Sequence, residues 1–165
     1  VNGEHLKIGA PARLTALLEI LEEAAAKVIV FVPFVGNLKM LEEEVGKHHT
    51  CMSVYGETPH AERTRIFNAF QSSKADPKVI IAHPKCMAHG LTLTEAATIV
   101  WWAPITSNET YEQANARINR AGQKRRTQII HLEGSTVERE TYQRLRLQQN
   151  MQGLLLKMIE GQDRL

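Results

Sequence analysis

"KVIVFVPF", residues 27–34, is followed at once by "VGNLKMLEEEVGK", residues 35–47. The first stretch is almost continuously apolar, as expected of a strand that is buried on both faces of a parallel sheet. The second carries its apolar residues at helical spacing, which predicts an amphipathic helix. A buried strand that leads directly into a helix is the repeating unit of an α/β fold.

Four more apolar runs and four more helical patterns lie before or after this unit along the chain. The predicted strands are 50–56, 78–83, 98–103 and 128–133, and the predicted helices are 10–26, 59–71, 109–121 and a last one that runs toward Ile159. Ser135 and Glu138 form a plausible capping box for that last helix. The alternation predicts an open, mostly parallel sheet with helices on both faces and with ligands beyond the carboxyl ends of the strands.

Composition places few limits on function but excludes some classes. The chain has 165 residues, 43% of them hydrophobic and 23% charged, with a net charge of +2, which fits one ordinary globular domain. Two cysteines, Cys51 and Cys86, do not make a disulfide framework, so a cytoplasmic, reducing location is the simpler expectation. No apolar run is long enough to span a bilayer and no secretory leader is visible, so no membrane partner is expected.

The basic stretch "QANARINRAGQKRR", residues 113–126, is the clearest functional candidate. On a helix, Gln113, Arg117 and Arg120 share one face, and none of residues 114–126 is acidic. Guanidinium groups match phosphate oxygens and keep their charge at neutral pH, so this face predicts an anionic ligand. A solvated basic helix, with its arginines paired to nearby glutamates (Glu109, Glu112 or Glu138), is the alternative that spacing alone leaves open.

Other chemistries receive less support from the sequence. His83, Cys86 and His89 have zinc-like spacing but lack an obvious fourth ligand, and a nucleophilic Cys86–His pair is equally unsupported, so no metal site is predicted. The chain has no phosphate-binding loop and no dinucleotide fingerprint. Its two aspartates, Asp76 and Asp163, have no acidic neighbour that would help to hold magnesium. The chain alone therefore shows no means of hydrolysing a nucleotide.

The order of segments resembles the C-terminal RecA-like lobe of Swi/Snf-type ATPases, a branch of the superfamily-two helicases. "HPKCMAHGLTLTEA" is similar to the family pattern S-T-K-A-G-G-x-G-L-N-L, and "QANARINRAGQKR" is similar to Q-A-x-x-R-x-x-R-x-G-Q. The resemblance covers residues 9–148. The residues that match the two patterns are Lys85, Gly90, Leu91, Leu93, Gln113, Ala114, Arg117, Arg120, Gly122 and Gln123. The departures are His83-Pro84 for a Ser-Thr pair, Met87-Ala88 for two glycines, Thr92 for Asn and Asn119 for a frequent His.

This resemblance implies a second motor lobe of an ATP-dependent DNA translocase or helicase-like remodeller. ATP and Mg would be held mainly by an absent N-terminal RecA-like lobe of the same chain, and the partner would be double-stranded DNA. Arg117 and Arg120 would be the catalytic arginine fingers, with Gln113 and Gly90 also at the nucleotide. Lys85, Arg63 and Arg65 would contact DNA phosphates, although Arg63 and Arg65 also fit the exposed side of a helix whose core face is Ile66, Phe67 and Phe70.

The resemblance also divides the chain into an N-terminal tail (1–8), the helicase lobe (9–148) and a C-terminal amphipathic helix (149–165). An apolar stripe within residues 147–159 would pack on its own sheet, brace the two lobes, or pair weakly with another copy, so the fragment is expected to be a monomer or weak dimer. Trp101 and Trp102 invite a base-stacking interpretation, although at least one is expected in the core.

The leading interpretation makes the isolated fragment inactive, because half of the site is missing. The alternative is a non-catalytic RecA-like module that binds nucleic acid or a partner. A small-molecule α/β enzyme is a weaker third interpretation, because no acid–base constellation is visible. The compact spacing predicts a bacterial or phage source.

Overall fold

The computed structural model describes residues 3–87 and 92–162, with side chains described for 11–87 and 92–160. The five strands are β1 Lys27–Phe31, β2 Cys51–Val54, β3 Val79–Ala82, β4 Ala96–Trp101 and β5 Gln128–His131. The five helices are α1 Gly3–Glu23, α2 Val35–Gly46, α3 His60–Gln71, α4 Asn108–Asn115 and α5 Thr136–Gln162. A short 3-10 helix, Pro84–Met87, comes after β3.

The strands form one sheet in the order β2-β3-β1-β4-β5, and every neighbouring pair is parallel. The central strand β1 is buried at all five positions, as its unbroken apolar sequence predicts. The predicted fold class, an open parallel sheet with helices on both faces and a C-terminal helix, is confirmed.

Side chains alternate between two apolar cores, one on each face of the sheet. Along β1, Ile29 and Phe31 enter the core formed with α3, α4 and the start of α5, whereas Val28 and Val30 enter the core formed with α1 and α2. The same alternation buries both tryptophans on opposite faces, Trp101 at 0% and Trp102 at 2% exposure. Base stacking by either indole is therefore wrong, because neither ring is accessible.

Several boundaries differ from those predicted. Helix α1 begins at Gly3 rather than at residue 10, and α4 ends at Asn115 rather than at residue 121. Helix α5 begins as predicted, with the Ser135 hydroxyl accepting from the Glu138 N–H at 3.2 Å. The Glu138 carboxylate does not return to Ser135 but accepts from the Gly134 N–H at 2.6 Å and from Arg13 at 2.7 Å. The capping box is thus half formed, because Arg13 of α1 draws the carboxylate away.

Lys27, the first residue of β1, ties the sheet to the end of α3. Its buried ammonium donates to the carbonyl oxygens of Phe70 at 2.8 Å, Ser72 at 2.8 Å and Ala75 at 2.6 Å. These carbonyls lie at or just beyond the C-terminus of α3, where a helix carries unpaired acceptors and partial negative charge. Burial lowers the pKa of this ammonium. A strand residue therefore caps the helix that crosses the same sheet.

An aromatic cluster joins α4, β5 and α5. The Tyr111 hydroxyl lies 2.8 Å from His131 Nε2, and the His131 ring packs 4.3 Å from Tyr142, centroid to centroid. Tyr142 is fully buried and its hydroxyl donates to the Trp101 carbonyl at 3.3 Å. Burial, together with the positive charge of Arg146, lowers the pKa of His131 from 6.5 to about 4. His131 is thus neutral where it packs.

We expect His131 to make stability depend on pH. Between pH 6.5 and about 4 the unfolded chain binds a proton at this residue that the folded chain does not, so stability falls as pH falls through this window. The loss is up to about 2 kcal/mol, allowing for partial solvent screening. Urea unfolding at pH 7.5 and pH 4.5 should show a larger drop for the wild type than for His131→Phe. Equal drops in the two proteins would contradict the prediction.

Candidate functional site: the arginine segment

Helix α4 ends before it reaches the two arginines. The helix begins after Ser107, whose hydroxyl accepts from the Thr110 N–H at 3.2 Å, and its last residue is Asn115. Residues 116–122 form turns and bends. The prediction that Gln113, Arg117 and Arg120 share one helical face is therefore wrong. We call residues 116–123 the arginine segment.

Hydrogen bonds to another part of the chain explain this early end. The Arg117 carbonyl accepts from the Leu93 N–H at 2.9 Å, so it is drawn toward residues 92–96, which lead into β4. The Gln123 side-chain nitrogen donates to the carbonyls of Ala96 and Ile118, each at 2.9 Å. These bonds replace helical pairing and hold the arginine segment against residues 92–96, which we call the β4 lead.

The same contacts fix where the arginine segment lies on the sheet. Ala96 is the first residue of β4, so the segment lies beside the amino end of that strand. The sequence predicted a site at the carboxyl ends of the strands, and for this segment the prediction is wrong. The reason is that α4 comes after the carboxyl end of β4 and its eight residues carry the chain back along the sheet.

The two arginines differ in exposure. Arg117 is 4% exposed, and its Nε has no hydrogen-bond partner among the described residues. Burial lowers the pKa of Arg117, and the charge of Arg120 lowers it further. Arg120 lies on the surface. The segment therefore presents one buried and one exposed guanidinium, close enough together for the charge of Arg120 to lower the pKa of Arg117.

Gln113, the third residue of the predicted face, lies on α4 itself. Its side-chain nitrogen donates to the Glu109 carboxylate at 3.0 Å, one turn earlier. Its amide is thus engaged within its own helix rather than with the arginine segment. Gly90, the remaining predicted nucleotide contact, lies outside the described residues.

Two of the three predicted DNA contacts, Arg63 and Lys85, lie near the carboxyl ends of β2 and β3, whereas Arg65 lies toward the amino ends of these strands, in a pocket that Thr50 and Pro77 also line. Lys85 is exposed on the 3-10 helix that comes after β3. Arg63 is half-buried and donates to the carbonyls of Tyr55 at 3.4 Å and Thr58 at 3.2 Å, where it holds the turn before α3. Arg65 is exposed and pairs with Glu62, which raises the pKa of Arg65. Of the three, Lys85 leaves its charge most open to a ligand.

Two alternative chemistries at this edge lose support. Burial raises the pKa of Cys86, so its thiol does not become an activated thiolate. His83 Nδ1 lies 3.3 Å from the Lys85 backbone nitrogen, and burial lowers the pKa of His83, so it acts as a neutral acceptor. Among the described side chains, those of residues 11–87 and 92–160, no three His, Cys, Asp or Glu gather as a metal site would require. His89 lies outside the described residues.

Residues 12–122 match the family described as the helicase conserved C-terminal domain, and the chain belongs to that family. The match includes the first motif region, the second motif as far as Gly122, and both arginines of the arginine segment. In the part of the chain that the structure describes, no helix combines the length and apolar character needed to cross a membrane.

SNF2-type proteins are among the relatives, as the sequence resemblance predicts. The mouse DNA repair and recombination protein RAD54B is 27% identical over 154 residues, which are 91% of this chain and 17% of that protein. Mouse DNA excision repair protein ERCC-6-like is 31% identical over 134 residues, or 79% of this chain and 11% of its own length. A probable global transactivator of the Orgyia pseudotsugata multicapsid polyhedrosis virus is 27% identical over 148 residues, or 82% of this chain and 30% of that protein. This chain thus spans less than a third of each of these relatives.

Solved structures confirm the RecA-like lobe. The C-terminal part of the Fun30 ATPase domain matches with a TM-score of 0.72 at 23% identity, covering 87% of this chain and 47% of that one. The C-terminal domain of the DEAD-box protein Dbp5 matches with a TM-score of 0.68 at 18% identity, covering 82% and 77%. At these identities the likeness shows the fold.

Sequence reasoning assigned no role to Gln123, although the residue stands in the matched motif. Its side chain makes three hydrogen bonds, of which the third is accepted from the Arg125 N–H at 3.0 Å. The motif spacing marked the position, but the carbonyl acceptors come from a break in the helix that spacing does not show. Gly122, at φ +99°, makes the turn beside it in a conformation that favours glycine.

We expect Gly122→Ala to destabilise the fold by about 1 kcal/mol, because the left-handed turn strains an L side chain. Space is not the cause, since an added Cβ would lie 4.0 Å from Thr94 Oγ1, an ordinary contact. Urea unfolding measures the change. Gly36→Ala in α2 is the matched control, because a Cβ there meets nothing within 4 Å and its φ is ordinary. Equal stability of the two variants would contradict this explanation of the turn.

Proposed function

We propose that this chain is the second motor lobe of an ATP-dependent DNA translocase or helicase-like remodeller, acting inside the cell on double-stranded DNA. ATP and Mg would be held mainly by an N-terminal RecA-like lobe of the same protein. The observation that carries the proposal is the arginine segment, which keeps Arg117 and Arg120 close together on a hydrogen-bonded frame. Membership of the helicase family and the SNF2-type relatives support it.

Arg120 would be the guanidinium that reaches the terminal phosphates, because it is exposed. Arg117 would lie behind it, where burial makes its charge strong toward a nearby anion and its position well defined. Such a pair stabilises negative charge that develops on a transferring phosphoryl group, and it needs little reorganisation to do so. Arginine fingers of this kind contribute about 10³–10⁵ in rate. Gln113 and Gly90 would complete the nucleotide contacts of this lobe.

Lys85 would make the main contact with a DNA phosphate, at the carboxyl edge of the sheet. Arg65 would add a phosphate contact if its guanidinium exchanged Glu62 for the phosphate. Arg63 would support the DNA contact by fixing the turn before α3. Contacts of this type are to the backbone, so binding would be weakly sequence-specific and would weaken with salt.

A non-catalytic RecA-like module that binds nucleic acid or a partner is the second candidate. Both candidates use the same phosphate contacts at Lys85. Turnover by the longer protein separates them.

In the longer parent protein, we expect Arg120→Ala to lower the DNA-stimulated kcat for ATP by about 10³-fold or more, with little change in KM, because the finger acts on the transition state. Steady-state ATP hydrolysis with and without duplex DNA is the measurement. Arg139→Ala, which removes an exposed arginine of α5 that pairs with Glu133, is the matched control and should stay near wild type. The 165-residue chain alone should show no turnover.

Retained turnover in a folded Arg120→Ala protein would show that the arginine segment is a surface feature and not part of the nucleotide site. Absence of turnover in the wild-type parent would favour the binding module. Turnover by the 165-residue chain alone would contradict a site shared between lobes.

The C-terminal half of α5 carries a second surface that the longer protein would use. Its exposed apolar residues, 56–64% accessible, are Leu147, Met151, Leu154, Leu155, Leu156, Met158 and Ile159. Tyr142 and Leu145 lie on the other side of the helix and are buried in the core. Met151 lies about 180° around the helix from Tyr142. The expectation that the stripe packs on its own sheet is therefore wrong. We propose that it braces the N-terminal lobe.

In the isolated chain the same surface is expected to give a monomer or a weak dimer. Two copies paired through it would bury on the order of 1,000 Å², near the lower limit for specific interfaces. Sedimentation over a wide concentration range should show reversible self-association that Met151→Glu removes. Gln143→Glu, an exposed change on the same helix outside the stripe, should leave it intact. A mass that stays monomeric at every concentration would contradict pairing.

A further inference from the structure

The sheet has two edge strands, β2 and β5, each of which is hydrogen-bonded to one neighbouring strand only. In a parallel strand the backbone groups of alternate residues point to opposite sides. Half of the N–H and C=O groups of an edge strand therefore point away from the sheet, where another chain can pair with them. The two edges of this sheet differ in whether those outer donors are already occupied.

The β2 edge is closed by a side chain of α2. The His83 N–H donates to the Val54 carbonyl at 2.9 Å, so the backbone groups of Val54 face β3 and those of Ser53 point outward. The Glu42 carboxylate accepts from the Ser53 N–H at 3.0 Å and from the Ser53 hydroxyl at 2.6 Å. The outer donor in the middle of β2 is thus satisfied within the chain.

The β5 edge has no such cover among the described residues. The Leu132 N–H donates to the Trp101 carbonyl at 3.0 Å, so the alternate residues that face β4 are fixed. The N–H groups of Ile129 and His131 therefore point away from the sheet. No described residue accepts a hydrogen bond from either of them. The Ile129 side chain is also 38% exposed, which leaves this edge open.

A small cavity of about 170 Å³ adjoins the open edge, between the end of α4, β5 and α5. Ile118 and Ile129 give it apolar walls. The Glu112 carboxylate also lines it, and this carboxylate already accepts from Asn108 Nδ2 at 3.0 Å. A strand added to β5 would point every second side chain toward this face of the sheet. One neutral side chain of such a strand would fit the cavity, whereas an acidic one would meet Glu112.

Three exposed cations, Lys124, Arg125 and Arg126, lead into the amino end of the same edge. Arg125 lies 3.9 Å from the Glu95 carboxylate. Among the described side chains, no carboxylate lies within ion-pair distance of Lys124 or Arg126. The proposed nucleotide contacts do not use these charges. They favour acidic residues in whatever lies beside the start of β5.

We propose that the outer edge of β5 binds an extended peptide of a partner protein, with acidic residues at the end that lies beside Lys124 and Arg126. The peptide would add a sixth strand to the sheet, and its carbonyls would accept from the Ile129 and His131 N–H groups. A valine or threonine side chain of the peptide would occupy the cavity. This site goes beyond the proposed motor function and depends on neither ATP nor DNA.

The first measurement titrates the 165-residue chain with a synthetic peptide in which valine and threonine alternate between two pairs of glutamates. By amide NMR, the Ile129 and His131 signals should shift and their hydrogen exchange should slow, because both donors become paired. Ser53, on the closed edge, should not change. The same peptide with lysines in place of the glutamates should bind about fivefold more weakly or worse. Unchanged Ile129 and His131 signals would overturn the proposal.

A proline substitution tests the backbone contact directly. Ile129→Pro removes one outward donor and leaves the pairing with β4 in place, since proline is tolerated where an edge strand's N–H faces solvent. It should weaken peptide binding about fivefold through the lost hydrogen bond and the lost side chain. Ile129→Val keeps the donor and should bind within about twofold of the wild type. Equal affinity of the proline and valine variants would contradict strand addition.

A charge variant tests the site without changing β5. Replacing both Lys124 and Arg126 by glutamine should weaken binding about threefold or more and should flatten its salt dependence. Replacing both Lys39 and Lys47 by glutamine removes two exposed cations at α2, near the closed edge, and should leave binding unchanged. Equal affinities of the two double variants would overturn the acidic character of the ligand.

Other occupants give different results. Duplex DNA that shifts the Ile129 and His131 signals, while the peptide does not, would show that these cations serve nucleic acid, and it would overturn the proposal. Protection of the same amides that grows with protein concentration alone, and that Ile129→Pro removes, would make a second copy of the chain the occupant and would overturn it as well.

Discussion

Burial of β1 on both of its faces is the constraint on which this structure depends. The strand pairs with β3 on one side and β4 on the other, and its side chains enter both cores. A strand in that position must be apolar throughout and must be covered by helices on each face. Lys27, the first residue of β1, is charged rather than apolar, and its buried ammonium is instead hydrogen-bonded to carbonyls at the end of α3. The centre of the sheet and the position of α3 are thus fixed together.

Periodicity in the sequence was enough to predict the strands and the helices on both faces of the sheet. Continuous apolar runs identify the strands, although the edge strands β2 and β5 are less buried than the sequence suggests. Adjacent Trp101 and Trp102 lie in different cores because neighbouring side chains point to opposite faces of a sheet. The end of α4 could not be predicted in this way. Residues 116–121 have helical spacing and good helix formers, but carbonyls among them accept from Leu93 and Gln123. Hydrogen bonds that compete with helical pairing, including one to a distant part of the chain, therefore determine where α4 ends, and the local sequence pattern does not show them.

The same limit applies to the candidate site. Motif matching selected Arg117 and Arg120, and the structure places them on one hydrogen-bonded segment, but the helical argument that grouped them with Gln113 does not hold. Residue spacing also does not show that Arg117 is buried. Its guanidinium is 4% exposed and therefore loses most of its hydration, and its Nε has no hydrogen-bond partner among the described residues. Such a group costs free energy in the isolated lobe. In the proposed motor, an anion brought by the other lobe would offset part of that cost, so the buried guanidinium is consistent with a site completed from outside.

The distance between the two edges of the sheet bears on how such a lobe would work. Lys85 lies at the carboxyl edge, whereas the arginine segment lies beside the amino end of β4. Close-packed cores on both faces make the sheet stiff, so displacement at one edge carries the other with it as a rigid body. Rigid-body motion by itself would move both arginines equally whether or not DNA is bound. A selective response to DNA needs an element that shifts relative to the sheet. Among the described residues, residues 92–95 of the β4 lead lie outside the strand pairing, and they are tied instead to Arg117 by the Leu93 N–H and to α3 by the Gln71 side chain.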